Sequence, residues 1–463
     1  MTITSPDIVI SEELIRKFDR PGPRYTSYPT ADRFHAGFTR QSYHQYLAQR
    51  ATRTDNPPLS IYVHLPFCES LCYFCACNKI ITKDHGRATE YLRYLEKEMA
   101  LVAALIGKDR RAVQLHLGGG TPTFLRAAEL RQMMDMLRSH FAFSEDAELG
   151  VEIDPRTVND DTLAMLAGLG FNRTSFGVQD FDPAVQMAVN RIQPLAMVER
   201  AMAASRNANF VSVNADLIYG LPKQTVASFD RTLDSVIRLA PDRIALYNYA
   251  HLPSRFKAQG QIIESDLPTA ETRLQIFLLS MRRLLDAGYE YIGLDHFSKP
   301  EDELNQARLQ KTLHRNFQGY TTRAECDLIG FGVSAIGKVG DSYSQSVRTI
   351  KSYYQHLDAG ELPLEKGFAL TRDDVLRRQV IMELMCSNPV DFNAINSAYD
   401  IDFCNYFARE LEQLQPYEAG GLIEIDNDGI QVTATGRLFV RAVGMVFDKY
   451  LSQPTTSTFS KLI

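Results

Sequence analysis

Residues 59–77 read LSIYVHLPFCESLCYFCAC, in which an apolar run is followed directly by a cluster of cysteines. The run at 59–65 is short, rich in β-branched residues and uncharged apart from one histidine, which is typical of a buried β-strand. The chain has seven cysteines, and four of them lie in this loop with the spacing C-x3-C-x2-C-x-C: Cys68, Cys72, Cys75 and Cys77. The stretch therefore predicts a strand that ends at a chemical site.

Similar apolar runs recur along the chain and alternate with segments that carry apolar residues at helical spacing. The further strand candidates are VQLHLG (113–118), LGVEID (149–154), TSFGVQ (174–179), VSVNADLIYG (211–220), RIALYNYA (243–250) and YEYIGLDHF (289–297). This alternation predicts an α/β fold with a parallel sheet covered by helices. Because no G-x-G-x-x-G follows the first strand, a partial (β/α)6 barrel of the TIM type is favoured over an open Rossmann sheet.

The regions on either side of these strands differ from them in composition. The N-terminal region is helix-prone but contains GPRYTSYPT (22–30), which predicts an ordered turn or extended segment. Near the C-terminus, Thr371 and Asp374 predict a capped helix, and 427–429 a hairpin turn followed by a helix. The predicted division is an N-terminal arm (1–55), a catalytic barrel with extensions (56–368) and a small winged-helix-like α+β domain (369–463).

The composition restricts the classes of function. The 463 residues carry a net charge of −6, which gives no reason to expect nucleic acid as a partner. No stretch approaches the roughly 20 apolar residues that span a bilayer, and the N-terminus does not resemble a secretory signal. We therefore expect a cytoplasmic protein without a membrane span, and nothing in the sequence requires more than a monomer.

In a reducing compartment, clustered cysteines usually bind metal or take part in catalysis. A structural zinc site would require a second ligand pair at a distance, and the chain has none. A thioredoxin-like C-x-x-C would not explain the two further thiols. An iron–sulfur cluster fits the short spacing best. Three scattered cysteines are expected to be packing residues: Cys326, Cys386 and Cys404.

Other polar residues follow or end the predicted strands, where the active sites of βα barrels form. GGGT at 118–121 alone would indicate an ordinary tight βα turn, but beside the cysteine loop it predicts a loop whose backbone N–H and C=O groups a ligand can approach closely. The carboxylates and amides at these strand ends, together with a histidine, are Glu152, Gln179, Asp216 and His251. Each carboxylate alone could be a structural group with satisfied hydrogen bonds, but their common position favours a binding site.

The C-x3-C-x2-C pattern resembles the radical S-adenosylmethionine (SAM) superfamily. The resemblance implies that Cys68, Cys72 and Cys75 hold a [4Fe–4S] cluster whose fourth iron is left open for SAM. An aromatic residue just before the last ligand, here Phe74, is expected near the adenine of SAM. Cys77 is left over by this assignment, and it remains a candidate for a separate function.

A wider set of motifs resembles one family of that superfamily, the oxygen-independent coproporphyrinogen III oxidases. The motifs cover essentially the whole chain: GPRYTSYPTA, YVHLPFC-x3-CYFC-x-CNKI, LHLGGGTPT, GVQDF, DLIYGLPKQT, LDHF and HRNFQGYTT. The resemblance implies that two propionate side chains of coproporphyrinogen III are oxidatively decarboxylated to vinyl groups, giving protoporphyrinogen IX in haem biosynthesis. It also implies two bound SAM molecules, an electron-donating protein such as flavodoxin, and an electron acceptor that the sequence does not identify.

The family resemblance also implies particular contacts. The first SAM would be lined by Tyr62, Gly119, Glu152 and Ile336, and the second by Phe74, Gly120, Thr121, Gln179, Arg191, Asp216 and Ala250. The substrate carries four carboxylates, so basic residues should meet it, and the candidates are Arg24, His314 and Arg315. Bracing of the N-terminal arm is the alternative role for these three residues. Ala76 and Leu117 depart from the family pattern, where glycine and an aromatic residue are usual.

Three other functions are compatible with parts of the sequence. A haem chaperone of the same superfamily would share the cysteine motif, but Cys77, the arm and HRNFQGYTT favour the oxidase. A non-catalytic zinc or iron–sulfur protein would leave the polar strand ends unexplained. A radical-SAM methyltransferase or RNA modifier would require a basic nucleic-acid face, which the charge balance does not suggest.

Overall fold

The computed structural model describes residues 2–5 and 8–452, with side chains from residue 11 onward. The strands are β1 (Thr2–Ser5), β2 (Ile8–Ser11), β3 (Leu59–Leu65), β4 (Phe67–Cys68), β5 (Ile80–Ile81), β6 (Arg111–Gly119), β7 (Ala142–Ile153), β8 (Arg173–Gln179), β9 (Ser212–Tyr219), β10 (Arg243–Asn248), β11 (Glu290–Gly293), β12 (His296–Ser298), β13 (His314–Asn316), β14 (Gly319–Thr321), β15 (Asp327–Phe331), β16 (Ile336–Val339), β17 (Ser342–Ser346), β18 (Leu364–Ala369), β19 (Val390–Asp391), β20 (Ile423–Ile425) and β21 (Gly429–Val432).

The α-helices alternate with these strands over most of the chain. They are α1 (Glu12–Phe18), α2 (Arg40–Thr52), α3 (Gly86–Ile106), α4 (Ala127–His140), α5 (Asp160–Gly168), α6 (Pro183–Ala188), α7 (Leu195–Asn207), α8 (Val226–Leu239), α9 (Ala270–Asp286), α10 (Glu303–Leu309), α11 (Ile350–Asp358), α12 (Arg372–Cys386), α13 (Phe392–Tyr399), α14 (Phe403–Tyr406), α15 (Ala408–Ala419) and α16 (Val440–Val446). None of the described helices is both long and apolar enough to cross a membrane.

The internal contacts divide the chain into two compact units. We call one the sheet unit, and it consists of Phe34–Ile276 and Glu325–Ala369. The other, the terminal unit, consists of Met1–Arg33, Phe277–Ala324 and Leu370–Ile463. The three-part division of the sequence at 55/56 and 368/369 stays a prediction.

The sheet unit contains one mixed sheet in which six parallel strands stand in their sequence order. The spatial order is β10-β9-β8-β7-β6-β3-β15-β16-β17-β18, parallel from β10 to β15 and antiparallel beyond it. A helix follows each of the six strands from β3 to β10 along the chain. This sequential order is typical of a βα barrel and differs from the reversal in doubly wound sheets, so the predicted partial (β/α)6 fold is confirmed.

One predicted strand is wrong. Residues 289–297 form the hairpin of β11 and β12 in the terminal unit, with Tyr291 opposite Phe297. The chain reverses there because Gly293 and Leu294 both adopt positive φ, 151° and 50°. The parallel neighbour of β3 on its other side is β15, whose five residues give too short an apolar signal for the periodicity to identify.

Burial of apolar side chains on both faces of the sheet holds these elements together. Every residue of β3 except Tyr62 is buried, as expected for a parallel strand covered by helices. The stripe of α3 that is buried includes Leu92, Leu95 and Met99, each 0% exposed. Full burial of each such side chain contributes about 1.5–3 kcal/mol to the hydrophobic stabilisation.

In the terminal unit, the predicted C-terminal helix and hairpin are confirmed. Thr371 caps α12, since its side chain accepts a hydrogen bond from the N–H of Asp374 and that of Asp374 accepts one from the N–H of Thr371. β20 and β21 pair across the turn at 426–428, and β19 joins them to form a three-stranded sheet. These elements form the α+β arrangement that the sequence predicts.

The scattered cysteines only partly behave as expected. Cys386 is buried on α12 and Cys326 is half-buried, but Cys404 is exposed on α14. The prediction that Cys404 is a packing residue is therefore wrong. The apolar neighbours Phe403 and Phe407 provide the buried side of that segment instead.

A candidate active site at the carboxyl ends of the parallel strands

The cysteine loop begins at the end of β4 and is closed by pairing with β5, Phe67 opposite Ile80 and Cys68 opposite Ile81. Backbone contacts with the segment after α6 fix its middle. The N–H of Tyr73 donates to the carbonyl of Val189 at 3.0 Å, and the Asn190 side chain donates to the carbonyl of Leu71 at 2.7 Å. The cysteine loop is thus held at both its ends and its centre.

Hydrogen-bond donors surround the thiols of this loop. The hydroxyl of Thr121 lies 3.5 Å from the Sγ of Cys68, and guanidinium nitrogens of Arg156 and Arg191 lie 3.5 and 3.4 Å from the Sγ of Cys72. Lys79 reaches the carbonyl of Cys75 with its ammonium group at 2.8 Å. Donors and positive charges stabilise sulfur in its thiolate form, which is the form that binds metal.

Asp154 joins the two arginines into one network. Its carboxylate is 2.6 Å from a guanidinium nitrogen of Arg156 and 3.0 Å from one of Arg191, and the residue is only 9% exposed. Burial by itself would raise the pKa of Asp154, but hydrogen bonds and charge from Arg156 and Arg191 outweigh it and lower that pKa. The carboxylate is therefore ionised and balances the guanidiniums that contact Cys72.

The thiols themselves differ in acidity. Burial raises the pKa of Cys68 to about 11, partly opposed by the hydrogen bond from Thr121. The hydrogen bond from Cys77 is the main cause that lowers the pKa of Cys75 to about 6, with further help from Lys79. The same bond raises the pKa of Cys77, which is thus the protonated partner of the pair. Cys77 is therefore attached to the site by a direct contact with Cys75.

These residues fit an iron–sulfur cluster by the chemistry of their donor set. Three thiols come from one closed loop, and cationic or hydroxyl donors stand beside them to compensate thiolate charge. Among the described residues, no group of three or more His, Cys, Asp or Glu side chains is arranged around a single ion. A four-iron cluster is wider than one ion, so its ligand thiols stand further apart than single-ion ligands do.

The glycines after β6 provide a close approach of backbone segments. A Cβ on Gly119, which has φ of 111°, would lie 2.6 Å from the ring of His64, and one on Gly120 would lie 2.7 Å from the carbonyl oxygen of Phe67. The N–H groups of Gly119, Gly120 and Thr121 all donate within the protein. The expectation that the loop exposes these N–H groups to a ligand is wrong, because they bind β3, the cysteine loop and Glu152.

Glu152 lies beside this glycine segment. Its carboxylate accepts the N–H of Gly119 at 3.1 Å and is 3.3 Å from the Nε2 of His116. Burial raises the pKa of Glu152, but the hydrogen bond and charge of His116 outweigh it, so the pKa is lowered. The side chain is still 43% exposed and is therefore an ionised acceptor within reach of a ligand.

Tyr62, His64 and His116 form an aromatic wall next to Glu152. The rings of Tyr62 and His116 are stacked with centroids 6.1 Å apart. His64 connects this wall to the cysteine loop, since its Nε2 is 2.8 Å from the carbonyl of Asn78 and its Nδ1 is 3.1 Å from the hydroxyl of Tyr62. A carbonyl only accepts, so Nε2 carries the proton and Nδ1 accepts from Tyr62, and burial lowers the pKa of His64 in agreement with a neutral ring.

Asp216 lies inside β9 rather than at its end, which corrects the expected position. It stands opposite Gly177 in the register, and its carboxylate accepts hydrogen bonds from Ser175 and Asn214, both at 2.9 Å. Burial is the main cause that raises the pKa of Asp216 to about 6, and the charge of Glu152 adds to it. Asp216 and Glu152 are therefore neighbours on the same face of the sheet.

Gln179 and Arg191 meet near the end of β8. Gln179 ends the strand with φ of 63° at a register shift, and a Cβ on Gly177 would lie 2.8 Å from its amide nitrogen. The same Cβ would lie 2.9 Å from Arg191, whose guanidinium donates to the carbonyl of Gly177. Gln193 also donates to that carbonyl, and its Oε1 accepts a hydrogen bond from the Nε of Arg191 at 3.1 Å, which fixes the guanidinium.

Gln259 brings Phe74 and Ala250 together. Its amide donates to the carbonyl of Phe74 at 3.0 Å and to that of Ala250 at 3.2 Å. Phe74 packs on a buried apolar cluster that contains Val189 and Tyr249. His251, which follows β10 as predicted, is 2.9 Å from the hydroxyl of Tyr249.

Ile336 begins β16 and reaches the site through its backbone. A Cβ on Gly330 would lie 2.5 Å from the carbonyl oxygen of Ile336, and Gly330 stands opposite Tyr62 in the sheet. All the residues predicted to contact the cluster or SAM thus belong to the sheet unit: Cys68, Cys72, Cys75, Tyr62, Phe74, Gly119, Gly120, Thr121, Glu152, Gln179, Arg191, Asp216, Ala250 and Ile336.

The three predicted substrate residues belong to the terminal unit. Arg24 forms an ion pair with Asp295, at the turn between β11 and β12. His314 and Arg315 are consecutive residues of β13, and the guanidinium of Arg315 lies 4.8 Å from the centroid of the Tyr320 ring. Arg24 and Arg315 each lie near Arg441, since each lowers its pKa.

Sequence reasoning missed several residues of the site. The polar residues within apolar strands, His64 and His116, were a signal that could have found them, because a histidine in a buried strand requires a partner. Asp154 and Arg156 follow directly on Glu152 in the run EIDPR. Gln193 and Gln259 carry no comparable signal, because they lie in irregular segments.

Comparison with known proteins agrees with this geometry. The radical SAM superfamily model matches residues 62–236, and the model of the HemN C-terminal domain matches residues 370–439. A Pseudomonas aeruginosa protein named oxygen-independent coproporphyrinogen III oxidase is 48% identical over 97% of this chain and 98% of its own length. The Escherichia coli K12 protein of the same name is 47% identical over 97% and 98%. The chain belongs to the oxygen-independent coproporphyrinogen III oxidase family.

A solved member of this family has the same fold. Coproporphyrinogen III oxidase (HemN) from Escherichia coli, a radical SAM enzyme, matches with a TM-score of 0.91 and 46% identity over 96% of this chain and 100% of that one. Family membership makes this chain a radical SAM oxidoreductase with a [4Fe–4S] cluster and SAM as cofactors, as the cysteine motif predicts. The individual cofactor contacts and the number of SAM molecules stay predictions.

Proposed function

We propose that this member of the coproporphyrinogen III oxidase family converts two propionate side chains of coproporphyrinogen III to vinyl groups and yields protoporphyrinogen IX. The observation that carries the proposal is the closed C-x3-C-x2-C loop, with its cationic donors, at the carboxyl ends of six parallel strands. It stands in a chain that is 48% identical, over nearly its whole length, to a protein named for that activity.

Cys68, Cys72 and Cys75 would hold the cluster. When bound, the cluster and SAM supply an electron and a 5′-deoxyadenosyl radical that can remove hydrogen from an unactivated carbon. Thr121, Arg156 and Arg191 would keep their contacts to the ligand sulfurs. Hydrogen bonds to cluster sulfurs and nearby positive charge raise a cluster's reduction potential and so favour its reduced state.

Tyr62, Gly119, Glu152 and Ile336 would line the first SAM. Glu152 is the ionised acceptor of this group, with an exposed carboxylate that can accept from an ammonium or hydroxyl group. The stacked pair of Tyr62 and His116 supplies a flat apolar surface beside it. These residues bind and orient without taking part in covalent steps.

A second SAM would be lined by Phe74, Gly120, Thr121, Gln179, Arg191, Asp216 and Ala250. Arg191 can accommodate a carboxylate because it is cationic and fixed by Asp154 and Gln193. Asp216, with a pKa raised to about 6, is an acceptor at neutral pH and a donor in its acid form. The apolar cluster that contains Val189 and Tyr249 packs against Phe74 and supports it.

The reaction releases one electron for each propionate that is converted. Removal of a hydrogen atom from the β-carbon, followed by loss of carbon dioxide and one electron, leaves a vinyl group. We propose that a protein such as flavodoxin supplies the reducing electron and that a separate acceptor takes the substrate electron. The protein is further proposed to be a cytoplasmic monomer that binds no nucleic acid.

Anaerobic turnover tests the proposal. The full-length protein, with iron and sulfide restored, is incubated with coproporphyrinogen III, SAM, a reductant and an extract that supplies an acceptor. We expect vinyl product and 5′-deoxyadenosine together. In Glu152→Gln, which keeps all the cysteines, we expect the iron content to remain and 5′-deoxyadenosine formation to fall.

Two results would contradict the proposal. One is 5′-deoxyadenosine without vinyl product in an extract in which an established enzyme of the family works, which would indicate another substrate. The other is tight, stoichiometric binding of haem by this protein without decarboxylation of coproporphyrinogen III, which would indicate the haem-chaperone function.

A further inference from the structure

Three arginines of the terminal unit lie close to one another. Arg24 comes from the GPRYTSYPT segment, Arg315 from β13 and Arg441 from α16. Arg24 and Arg315 each lower the pKa of Arg441, while Asp295 raises it. Positive charges from two other parts of the chain therefore lie near Arg441, together with the carboxylate of Asp295.

Arg24 and Arg441 already have defined partners. Arg24 pairs with the carboxylate of Asp295. Arg441 is 3% exposed, and its guanidinium donates to the backbone carbonyls of Gly22 and Pro23, directly before Arg24. Burial is the main cause that lowers the pKa of Arg441 to about 10, yet that value leaves it charged at neutral pH.

Arg315 differs from the other two. Its Nε and Nη1 atoms are buried and have no hydrogen-bond partner among the residues that the structure describes, although a guanidinium is a donor at each of its nitrogens. The group is held over the ring of Tyr320, whose hydroxyl donates to the carbonyl of Met385 at 2.8 Å. Buried donor atoms without an acceptor cost stability, so the retention of these two points to a ligand.

The acidic groups near Arg315 have other partners. Asp295 is engaged by Arg24. Glu383 raises the pKa of Cys386 and Arg315 lowers it, so both lie near Cys386. The carboxylate of Glu383 accepts a hydrogen bond from the side chain of Asn388 at 2.9 Å. On its other side Arg315 packs against Tyr320, which belongs to an apolar cluster with Ile292 and Cys386. The arrangement suits a ligand that presents an anionic oxygen next to an apolar body.

We propose that Arg315 is a carboxylate-binding residue that receives one propionate of the tetrapyrrole, and that Arg441 is a positioning residue for this subsite. The inference rests on the proposed function for the identity of the ligand. Asp295 holds Arg24 in an ion pair and Arg441 fixes the backbone before it, so that Arg315 is the guanidinium with donors to offer. Arg24, a substrate candidate on the sequence, acts indirectly in this arrangement.

The test measures carboxylate recognition separately from turnover. Full-length reconstituted protein without SAM is titrated anaerobically with coproporphyrin III, a stable tetracarboxylate, and with its tetramethyl ester. We expect the native protein to prefer the free acid. Arg315→Met should lose about 10- to 100-fold of that preference, since hydrogen bonds to charged groups are of that strength.

Companion variants separate this role from a structural one. Arg315→Lys keeps the charge but not the planar donor set, so its loss should be intermediate. Asp295→Asn removes a carboxylate and should leave the affinity for the free acid equal to or above that of the native protein, which is the opposite direction. Arg409→Met, on the exposed surface of α15, is the matched control and should change nothing.

Turnover supplies a second readout, in which Arg315→Met should raise KM far more than it lowers kcat. An unchanged preference for the acid over the ester in Arg315→Met would overturn the inference, even if the native protein makes vinyl product. Equal loss in Arg315→Met and Asp295→Asn, with equal falls in Tm, would show a structural role and overturn it as well. Competition by inorganic phosphate as strong as that by the tetracarboxylate would overturn the assignment to a carboxylate.

A native protein that makes no vinyl product, but discriminates acid from ester through Arg315, would contradict the proposed function and leave the carboxylate subsite standing. The two proposals can therefore fail independently.

Discussion

The cysteine loop and the arginine cluster of the terminal unit differ in how their charges are balanced. In the sheet unit, Arg156 and Arg191 share the carboxylate of Asp154 and also contact Cys72. In the terminal unit, Arg315 has two buried donor atoms for which the described part of the chain offers no acceptor. The first arrangement is complete within the protein and suits a permanently held cofactor, whereas the second is incomplete and suits a ligand that comes and goes.

The largest expected effect concerns the cysteines. Serine at Cys68, Cys72 or Cys75 should abolish product formation and reduce bound iron from about four per chain, because three thiolates are required to hold the cluster. Cys77→Ser is the matched control within the same loop and should retain its iron. Iron analysis and the visible absorption of the reconstituted proteins measure this. Equal loss of iron in all four variants would make Cys77 a ligand and contradict the assignment.

A second substitution removes the carboxylate that balances the two arginines beside the cysteine loop. Asp154→Asn leaves Arg156 and Arg191 without their carboxylate, and breaking such a buried pair costs about 3 kcal/mol or more of the free energy of unfolding. Urea unfolding measures it. Asp160→Asn, whose carboxylate is 72% exposed and 4.0 Å from Arg200, should change the stability by less than about 1 kcal/mol. Similar losses in both variants would contradict the central role of Asp154.

Substitution of Gly119 tests how tightly the backbone of the site is constrained. Gly119→Ala places a Cβ at positive φ and against the ring of His64, which should cost about 1–3 kcal/mol. Gly168→Ala at the end of α5, where a Cβ would meet nothing within 4 Å, should be nearly neutral. Thermal unfolding of the two variants compares them. A fully stable Gly119→Ala protein would show that the approach to His64 is not needed.

The smallest effect concerns Glu98, a buried carboxylate without a cation. Burial raises its pKa from 4.5 to about 7, against the hydrogen bonds from Tyr353 and Gly332. Between these values the unfolded chain has lost the proton that the folded chain keeps, so the free energy of unfolding falls as pH rises from about 4.5 to 7. Glu98→Gln should remove this part of the pH dependence, as urea unfolding at pH 5 and 7.5 would measure. An identical pH dependence in the variant would contradict the shifted pKa.

The sequence predicted those features that depend on local pattern. The strands from 59–65 to 243–250, the capped helix at Thr371 and the C-terminal hairpin follow from periodicity and turn chemistry, and the cysteine spacing indicated the cofactor. The hairpin at β11 and β12 was missed because YEYIGLDHF (289–297) has the composition of a single strand, which hides a reversal that one glycine and a leucine at positive φ make possible. β15 was missed because its five residues form a strand only through pairing with β3.

The residues that complete the sites depend on contacts between distant parts of the chain. Asp154 and Arg191 are 37 positions apart, and Arg24 and Asp295 are 271 apart. No window of sequence contains such pairs. Guanidinium nitrogens without an acceptor are visible only when every neighbouring acceptor is known, so the sequence alone could not distinguish Arg315 from Arg24.

The most direct test of the account uses coproporphyrinogen III that carries deuterium at the β-carbons of its propionates. If the radical removes a hydrogen atom from that carbon, the 5′-deoxyadenosine formed anaerobically carries deuterium, and one deuterated molecule accompanies each new vinyl group. We predict this result by mass spectrometry for the native protein. Vinyl product accompanied by unlabelled 5′-deoxyadenosine, in a buffer of ordinary water, would contradict the central claim that the radical removes hydrogen from the β-carbon.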